Sequence, residues 1–114
     1  MAGGGPAGLK AASIAAPRGH QVNLCEKSNA LGGQINLAQS LSGRAEFGGI
    51  TVNLQKELSK TTARLHLNCF VNLDVIEDIA PDVVISVTGA TPYRVQINGA
   101  DDAHVVNAWQ VLQG

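Results

Sequence analysis

Three glycines near the start of the sequence have the spacing of a dinucleotide-binding loop. Gly3, Gly5 and Gly8 match the pattern G-x-G-x-x-G. Glycine serves there for a tight turn, for close approach of the backbone to a pyrophosphate, and for contact between helix and strand. The helix that follows would direct its unpaired N–H groups and its positive dipole end at the phosphates. Alone the pattern is weak evidence, because a flexible glycine-rich segment also matches it by chance.

An acidic residue follows at the distance that such a site requires. Glu26 lies 18 residues after Gly8, at the end of the next predicted strand. A carboxylate in this place accepts hydrogen bonds from the two ribose hydroxyls of an adenosine. The alternative is an ordinary solvated strand end. Taken together, the glycine pattern and Glu26 favour a dinucleotide-binding site.

Alternating helical and strand patterns surround these residues. The sequence predicts an alanine-rich helix ending at Gly19, with Pro17 fitting poorly in its last turn because proline lacks an N–H donor. The further predicted elements are strands over 21–26, 65–71 and 82–88, a glycine-rich loop over 29–34, a helix over about 46–60, a helical turn capped by Asp74, a turn at Asn98 and Gly99, and a short helix around Trp109. The β-branched run in 82–88 predicts a strand buried on both faces.

This order of elements predicts the fold class. Alternating β and α segments indicate an α/β, Rossmann-like three-layer βαβ domain with a mostly parallel sheet. The whole chain, 1–114, is expected to form a single domain that buries roughly two-thirds of its unfolded surface.

Composition narrows the function classes. The apolar fraction of 45%, the charged fraction of 15% and the net charge of −1 are typical of a globular protein without a basic surface. Nucleic acid and membrane are therefore not expected partners. Cys25 and Cys69 form no CxxC pair, and we expect them to be reduced thiols in a cytoplasmic protein. The three histidines are scattered, so neither a metal site nor a catalytic residue is predicted.

Four segments in order resemble a known family. They are GGGPAGLKAA, RGHQVNLCEKSNALGGQINLA, SGRAEFGG and PDVVISVTGATPY. Together they are similar to the FAD-binding region of the NADH:flavin oxidoreductases, the group of the bacterial 2,4-dienoyl-CoA reductases and trimethylamine dehydrogenase. The similarity runs from Gly3 to Leu112, and the ordered combination is far more specific than any single motif.

The resemblance implies FAD as the cofactor and a role for each matching residue. Around the pyrophosphate it implies Gly3, Gly5, Pro6, Ala7 and Gly8, with Thr88, Gly89 and Ala90 packed beside it. It implies that Glu26 holds the adenosine ribose, with Lys27 next to it, and that the Val71 backbone touches the adenine edge. It implies that Gly32, Gly33 and Gln34 close over the phosphate and the ribitol.

The sequence also departs from the family. The strand that precedes the glycine motif in that family is largely missing, since only Met1 and Ala2 stand before Gly3. Pro17, Thr62 and Val87 replace a helix-forming residue, a glycine and an alanine, respectively. A second glycine fingerprint and a flavin-bearing barrel are not encoded in these 114 residues.

These features predict a module that binds FAD, or another ADP-containing nucleotide, and does not turn over by itself. Two alternatives stay open: a remnant that binds nothing and acts through protein contacts, and an electron-transfer subunit of a separate catalytic chain. The incomplete sheet predicts a homodimer, because unpaired strand edges favour association. Within one chain, the gap could instead be closed by direct pairing of its flanking strands or by residues 93–97.

Overall fold

The computed structural model describes all 114 residues. The helices are α1 (Pro6–Ala15), α2 (Ile35–Ala38), α3 (Phe47–Ser59), α4 (Leu73–Ile79) and α5 (Ala108–Gln113), and the strands are β1 (Asn23–Cys25) and β2 (Arg64–His66). The α/β class is confirmed. None of the helices is long and apolar enough to traverse a lipid bilayer.

The first helix ends in a way that accommodates its proline. A single 3-10 turn, Ala16–Arg18, follows α1 and places Pro17 at its start, where a missing N–H costs least. Gly19 then adopts a left-handed conformation with φ of 92° and closes the helix. The predicted cap at Gly19 is confirmed, and Pro17 is tolerated because the chain changes helix type there.

The sheet is parallel and small. β1 pairs with β2, with Leu24 opposite Leu65. On the other side of β1, Ala2 forms parallel bridges to both Cys25 and Ser86. The parallel order is therefore β2, β1, the segment Met1–Gly3, and the segment around Ser86.

Met1–Gly3 occupies the carboxyl end of the predicted gap. The Ala2 N–H donates to the Ile85 C=O at 2.9 Å, and the Ala2 C=O accepts from the Val87 N–H at 2.9 Å. On the β1 side, the Gly3 N–H donates to the Cys25 C=O at 2.8 Å. The two flanking strands thus do not pair directly, and residues 93–97 do not enter the gap.

The core packs α1 against β1 and α3. Its buried cluster consists of Leu9, Ala12, Ala16, Val22, Leu24, Leu31 and Leu58. Leu9 and Leu24 are fully buried. A salt bridge of 2.7 Å between Lys10 and Glu57 also joins α1 to α3, but both side chains are about half exposed, so it contributes little stability.

The prediction of a buried strand over 82–88 is wrong, because the segment forms only an isolated bridge at Ser86 and its side chains are exposed. The exposed fractions of Val83, Val84 and Ile85 are 73%, 47% and 38%. Only Ala2 bridges to this segment, so its β-branched side chains are incompletely covered. The accessible surface, 8071 Å², exceeds the roughly 5,900 Å² of a compact monomer of this mass. The expectation that the chain buries two-thirds of its unfolded surface is therefore wrong, because the buried fraction is about half.

Two local predictions also need correction. The strand over 65–71 is limited to Arg64–His66. The cap of α4 is Asn72, whose side chain accepts the Val75 N–H at 3.0 Å, rather than Asp74, which lies in the first turn. The predicted turn at Asn98 and Gly99 and the helix around Trp109 are present.

Candidate functional site

The glycine loop joins the end of the Met1–Gly3 segment to the start of α1. Added methyl groups at Gly3 and Gly8 would overlap the Val87 C=O and the Gly3 C=O, respectively, whereas one at Gly5 would meet nothing within 4 Å. Gly3 and Gly8 thus permit close packing inside the protein, and Gly5 faces open space. This division matches the separate roles that the three glycines have in a dinucleotide loop.

Unpaired backbone donors lie at this open side. Gly5 is the N-cap of α1, and no side chain caps the helix. The N–H groups of Gly5, Ala7 and Gly8 have no acceptor in the protein, and Pro6 has no N–H. A helix start with unpaired donors attracts anions, because the helix dipole adds partial positive charge there.

Glu26 is buried directly beneath the loop. It is only 7% exposed, and its Oε2 accepts the Gly4 N–H at 2.7 Å. Its Oε1 accepts the Ser28 N–H at 2.9 Å and the Ser28 hydroxyl at 2.8 Å. The carboxylate therefore ties the glycine loop to the end of β1, and these bonds offset the cost of burying its charge.

The hydrogen bonds also control the ionisation of Glu26. Burial by itself would raise the pKa of this carboxyl, but the donors from Ser28 and Gly4 outweigh it and Lys27 adds a nearby positive charge, so the pKa lies below its ordinary value. Glu26 is thus a carboxylate at neutral pH. It can accept hydrogen bonds but has no proton to donate.

The loop that contains Gly32 and Gly33 packs against the glycine loop. The Gly32 N–H donates to the Gly4 C=O at 3.0 Å. A methyl group on Gly33 would lie 3.4 Å from the Gly5 Cα, so the two backbones nearly touch. Both Gly32 and Gly33 have positive φ, 115° and 53°, a conformation that glycine adopts readily.

The segment 88–90, predicted to pack beside the pyrophosphate, also lies close to the glycine loop. The Gln34 side chain donates from Nε2 to the Ala90 C=O at 3.2 Å, and a methyl group on Gly89 would lie 3.4 Å from that Nε2. A methyl group on Gly3 would lie 3.2 Å from the Thr88 N. Residues that are distant in the sequence are therefore brought together around the glycine loop.

Two of the predicted site residues, Lys27 and Val71, lie at the edge of the candidate site. Lys27 is exposed and follows Glu26 directly. Val71 lies near the far end of β2, two residues after Cys69, whose N–H donates to the Glu26 C=O at 2.8 Å. The Val71 side chain lines a separate groove rather than the glycine loop, and the assignment of its backbone to adenine stays a prediction.

Sequence reasoning missed three residues that shape the site. Gly4 and Ser28 hold the Glu26 carboxylate. The position of Gly4 inside the G-x-G-x-x-G pattern could have pointed to it, whereas nothing in the sequence marks Ser28. Thr51 of α3 is 6% exposed and lies beside Gly32. Its hydroxyl is the buried side-chain polar atom without a hydrogen-bond partner.

The two cysteines, distant in sequence, are neighbours in the structure. Cys25 is buried, and the Cys69 thiol lies close enough to influence its ionisation. Burial, and then the adjacent Cys69 thiol, raise the pKa of Cys25 to about 11. Cys25 is therefore an unreactive thiol at neutral pH.

Comparison with known families decides the assignment. Residues 1–93 match the model of the family described as FAD dependent oxidoreductase. The chain belongs to this family. The predicted resemblance to the FAD-binding region of flavin oxidoreductases is confirmed, and so is FAD as the cofactor of this region.

The sequence similarity to two named relatives extends over the whole of this chain. It is 40% identical to an NADH oxidase of Thermoanaerobacter brockii, over 100% of this chain and 18% of that protein. It is 38% identical to an N,N-dimethylglycine/sarcosine dehydrogenase of Chromohalobacter salexigens, over 100% of this chain and 17% of that protein. The chain thus spans less than a fifth of the length of these relatives.

The chain is also similar in structure to part of a solved protein. A 2-naphthoyl-CoA reductase, solved as its complex with 2-naphthoyl-CoA, superposes with a TM-score of 0.94 at 34% identity, over 99% of this chain and 17% of that one. The chain therefore has the fold of the corresponding part of that reductase.

Proposed function

We propose that this chain holds the adenosine diphosphate half of FAD, with the glycine loop at the pyrophosphate and Glu26 at the adenosine ribose. The observation that carries the proposal is the 2.7 Å hydrogen bond between the Gly4 N–H and Glu26 Oε2. It makes the phosphate-side loop and the ribose-side carboxylate one rigid unit. A rigid unit suits a cofactor that spans both, because little ordering is needed on binding.

The acceptor positions of Glu26 support the ribose role. A carboxylate offers about four acceptor positions, and backbone N–H groups of Gly4 and Ser28 use two. The Ser28 hydroxyl has one proton and two acceptors within reach, Glu26 Oε1 at 2.8 Å and the Ala30 C=O at 2.7 Å. When it donates to Ala30, two positions on Glu26 remain for the two ribose hydroxyls.

The start of α1 supports the pyrophosphate role. The free N–H groups of Gly5, Ala7 and Gly8 are donors for phosphate oxygens. Pro6 begins the helix without adding a donor, and the glycine at position 5 leaves the approach open. The neighbouring residues Thr88, Gly89 and Ala90 would complete the wall beside the pyrophosphate.

Gly32, Gly33 and Gln34 form the opposite wall of this proposed site. A side chain at position 32 would overlap the Asn36 side chain, and the positive φ of Gly33 disfavours any residue with a Cβ. Gln34 bridges to Ala90, so it joins the two walls. We assign this loop to the phosphate and the flavin-side ribitol, with Lys27 beside the ribose and the Val71 backbone at the adenine edge.

The redox chemistry is that of the cofactor, and this region positions it. We further propose that the 114-residue chain does not oxidise NADH or NADPH by itself, because it contains one glycine fingerprint and no barrel. Its place would then be in a larger flavoenzyme, or beside a separate catalytic subunit to which it transfers electrons. The free thiols Cys25 and Cys69 support a reducing, cytoplasmic location.

A homodimer also belongs to this proposal. β2 forms the outer edge of the sheet, and Leu65 and Leu67 are each 40% exposed. Such an edge can extend the sheet into a second copy. Sedimentation equilibrium of the purified chain tests it, and a monomer at all concentrations would contradict it.

Absorbance spectroscopy of the purified chain, reconstituted with FAD and freed of excess by gel filtration, tests the main function. The flavin bands should co-elute with the protein, and ADP should displace them, since the proposed contacts lie in the adenosine diphosphate half. A colourless protein after reconstitution would favour the non-binding remnant. NADH oxidation well above that of free FAD would contradict the proposed lack of turnover.

A further inference from the structure

The Ser28 hydroxyl lies between two acceptors but has a single proton to donate. Its Oγ is 2.8 Å from Glu26 Oε1 and 2.7 Å from the Ala30 C=O. Ser28 therefore has two alternative hydrogen bonds. One leads to the carboxylate at the proposed ribose position, and the other to the loop that follows it.

The charge of Glu26 decides which bond forms in the ligand-free chain. A hydrogen bond to an ionised acceptor is roughly twice as strong as one between neutral groups. Because Glu26 is ionised, the Ser28 hydroxyl donates to its Oε1. That oxygen also accepts the Ser28 N–H at 2.9 Å, so both of its acceptor positions are then in use.

A ribose with two hydroxyls needs one of the occupied positions. Glu26 Oε2 accepts the Gly4 N–H at 2.7 Å and keeps one position free, whereas Oε1 has none while the Ser28 hydroxyl donates to it. Binding of both ribose hydroxyls therefore displaces the Ser28 proton. The other acceptor within its reach is the Ala30 C=O, to which no other group of the chain donates.

Ala30 leads directly into the loop that packs against the glycine loop. The next residue, Leu31, belongs to the buried core cluster. The Gly32 N–H then donates to the Gly4 C=O at 3.0 Å. A hydrogen bond from Ser28 to Ala30 therefore fixes the segment that precedes this contact.

We propose that Ser28 is a positioning residue of the cofactor site. When a ribose occupies Glu26, the Ser28 hydroxyl moves to the Ala30 C=O and holds the loop of Gly32 and Gly33 closed over the phosphates. This coupling rests on the proposed function, since it needs a ribose at Glu26. Occupation of the adenosine end of the site thereby orders the loop at the phosphate end.

The test is hydrogen exchange of the Gly32 amide, measured by NMR in the full chain saturated with ADP or with 2′,3′-dideoxy-ADP. The two nucleotides carry the same phosphates, but the second has no ribose hydroxyls. We expect about fivefold slower exchange at Gly32 with ADP, because only ADP releases the Ser28 hydroxyl to Ala30. The Arg64 amide, bonded to the Val22 C=O within the sheet, should exchange equally with both.

Substitutions of Ser28 separate its hydroxyl from direct effects of the ligand. In Ser28→Ala the difference between the two nucleotides at Gly32 should disappear, whereas Ser28→Thr keeps the hydroxyl and should retain it. Ser59→Ala is the matched control, because the exposed Ser59 hydroxyl donates to the Lys56 C=O on α3, and the difference should remain. Equal exchange with both nucleotides in the wild type, or an unchanged difference in Ser28→Ala, would overturn the proposal.

A measurement without nucleotide tests the bond from Ser28 to Glu26. Hydrogen bonds from Ser28 help to lower the pKa of Glu26, and Lys27 is the charged neighbour. Carboxyl titration by NMR should therefore give a higher pKa for Glu26 in Ser28→Ala than in the wild type, while the titration of Glu57 stays the same. An identical pKa of Glu26 in the two proteins would overturn the proposal.

These results distinguish the coupling from the function on which it rests. If ADP binds but Gly32 exchanges as it does with dideoxy-ADP, the coupling is wrong and the adenosine diphosphate site stands. If ADP does not bind to the wild type, both are wrong.

Discussion

Glu26 accepts a hydrogen bond of 2.7 Å from the backbone N–H of Gly4, although 22 residues separate the two in sequence. Three features of the chain meet in this bond: the glycine loop, the start of α1, and the end of β1. A change at either residue therefore alters both the proposed pyrophosphate contact and the proposed ribose contact.

The first prediction concerns Gly5. Gly5→Ala should leave the free energy of unfolding nearly unchanged, because its φ of −73° suits alanine and the methyl group meets nothing within 4 Å. It should weaken FAD binding by roughly tenfold or more, since the methyl group would stand where the pyrophosphate approaches. Calorimetric titration and urea denaturation measure the two effects.

Gly49→Ala is the control for Gly5→Ala, because Gly49 lies within α3 and a methyl group there also meets nothing within 4 Å. It should stabilise the fold by about 0.5–1 kcal/mol through helix propensity and leave FAD affinity unchanged. If both variants bind FAD like the wild type, the glycine loop is not the phosphate site.

The second prediction concerns pH. The pKa of Glu26 is lowered in the folded chain, so its carboxylate contributes stability that is fully present above the pKa of the unfolded state. That stability is lost as the pH falls through the lower folded pKa. Urea denaturation between about pH 3 and about pH 7 should show this loss, and Glu26→Gln should reduce the slope. An unchanged slope would contradict the account.

The third prediction concerns the unpaired hydroxyl of Thr51. Thr51→Val should raise the free energy of unfolding by roughly 1 kcal/mol, because valine has nearly the same shape and removes a buried polar group without a partner. Thr61→Val is the control, since the Thr61 hydroxyl donates to the Leu58 C=O at 2.7 Å and its loss should destabilise. Destabilisation by both variants would indicate that Thr51 is hydrogen-bonded in solution.

The fourth prediction concerns the two thiols. With a pKa of about 11, Cys25 is a thiolate in only about one molecule in a thousand at pH 8. Brief treatment with iodoacetamide should modify Cys69, which is partly exposed, well before Cys25. Mass spectrometry of the tryptic peptides measures the ratio, and equal rates in folded protein would contradict the burial of Cys25.

The sequence predicted the parts of the site that depend on local spacing. The glycine pattern and the placement of Glu26 followed from the length of one helix and one strand, and Gly19 identified the helix end. The proximity of Cys25 and Cys69 could not be predicted, because it depends on the pairing of β1 with β2. The burial of residues 82–88 was mispredicted, since a β-branched run favours a strand but cannot tell whether a neighbouring strand covers it.

The central claim is that Glu26 and the glycine loop together bind the adenosine diphosphate half of FAD. Isothermal titration of FAD and of ADP into the wild type and Glu26→Gln tests it most directly, with Glu57→Gln as a control at an exposed carboxylate on α3. We expect Glu26→Gln to lose about 1.5–3 kcal/mol of binding free energy for both ligands and Glu57→Gln to bind like the wild type. Equal affinities in all three proteins would contradict the claim.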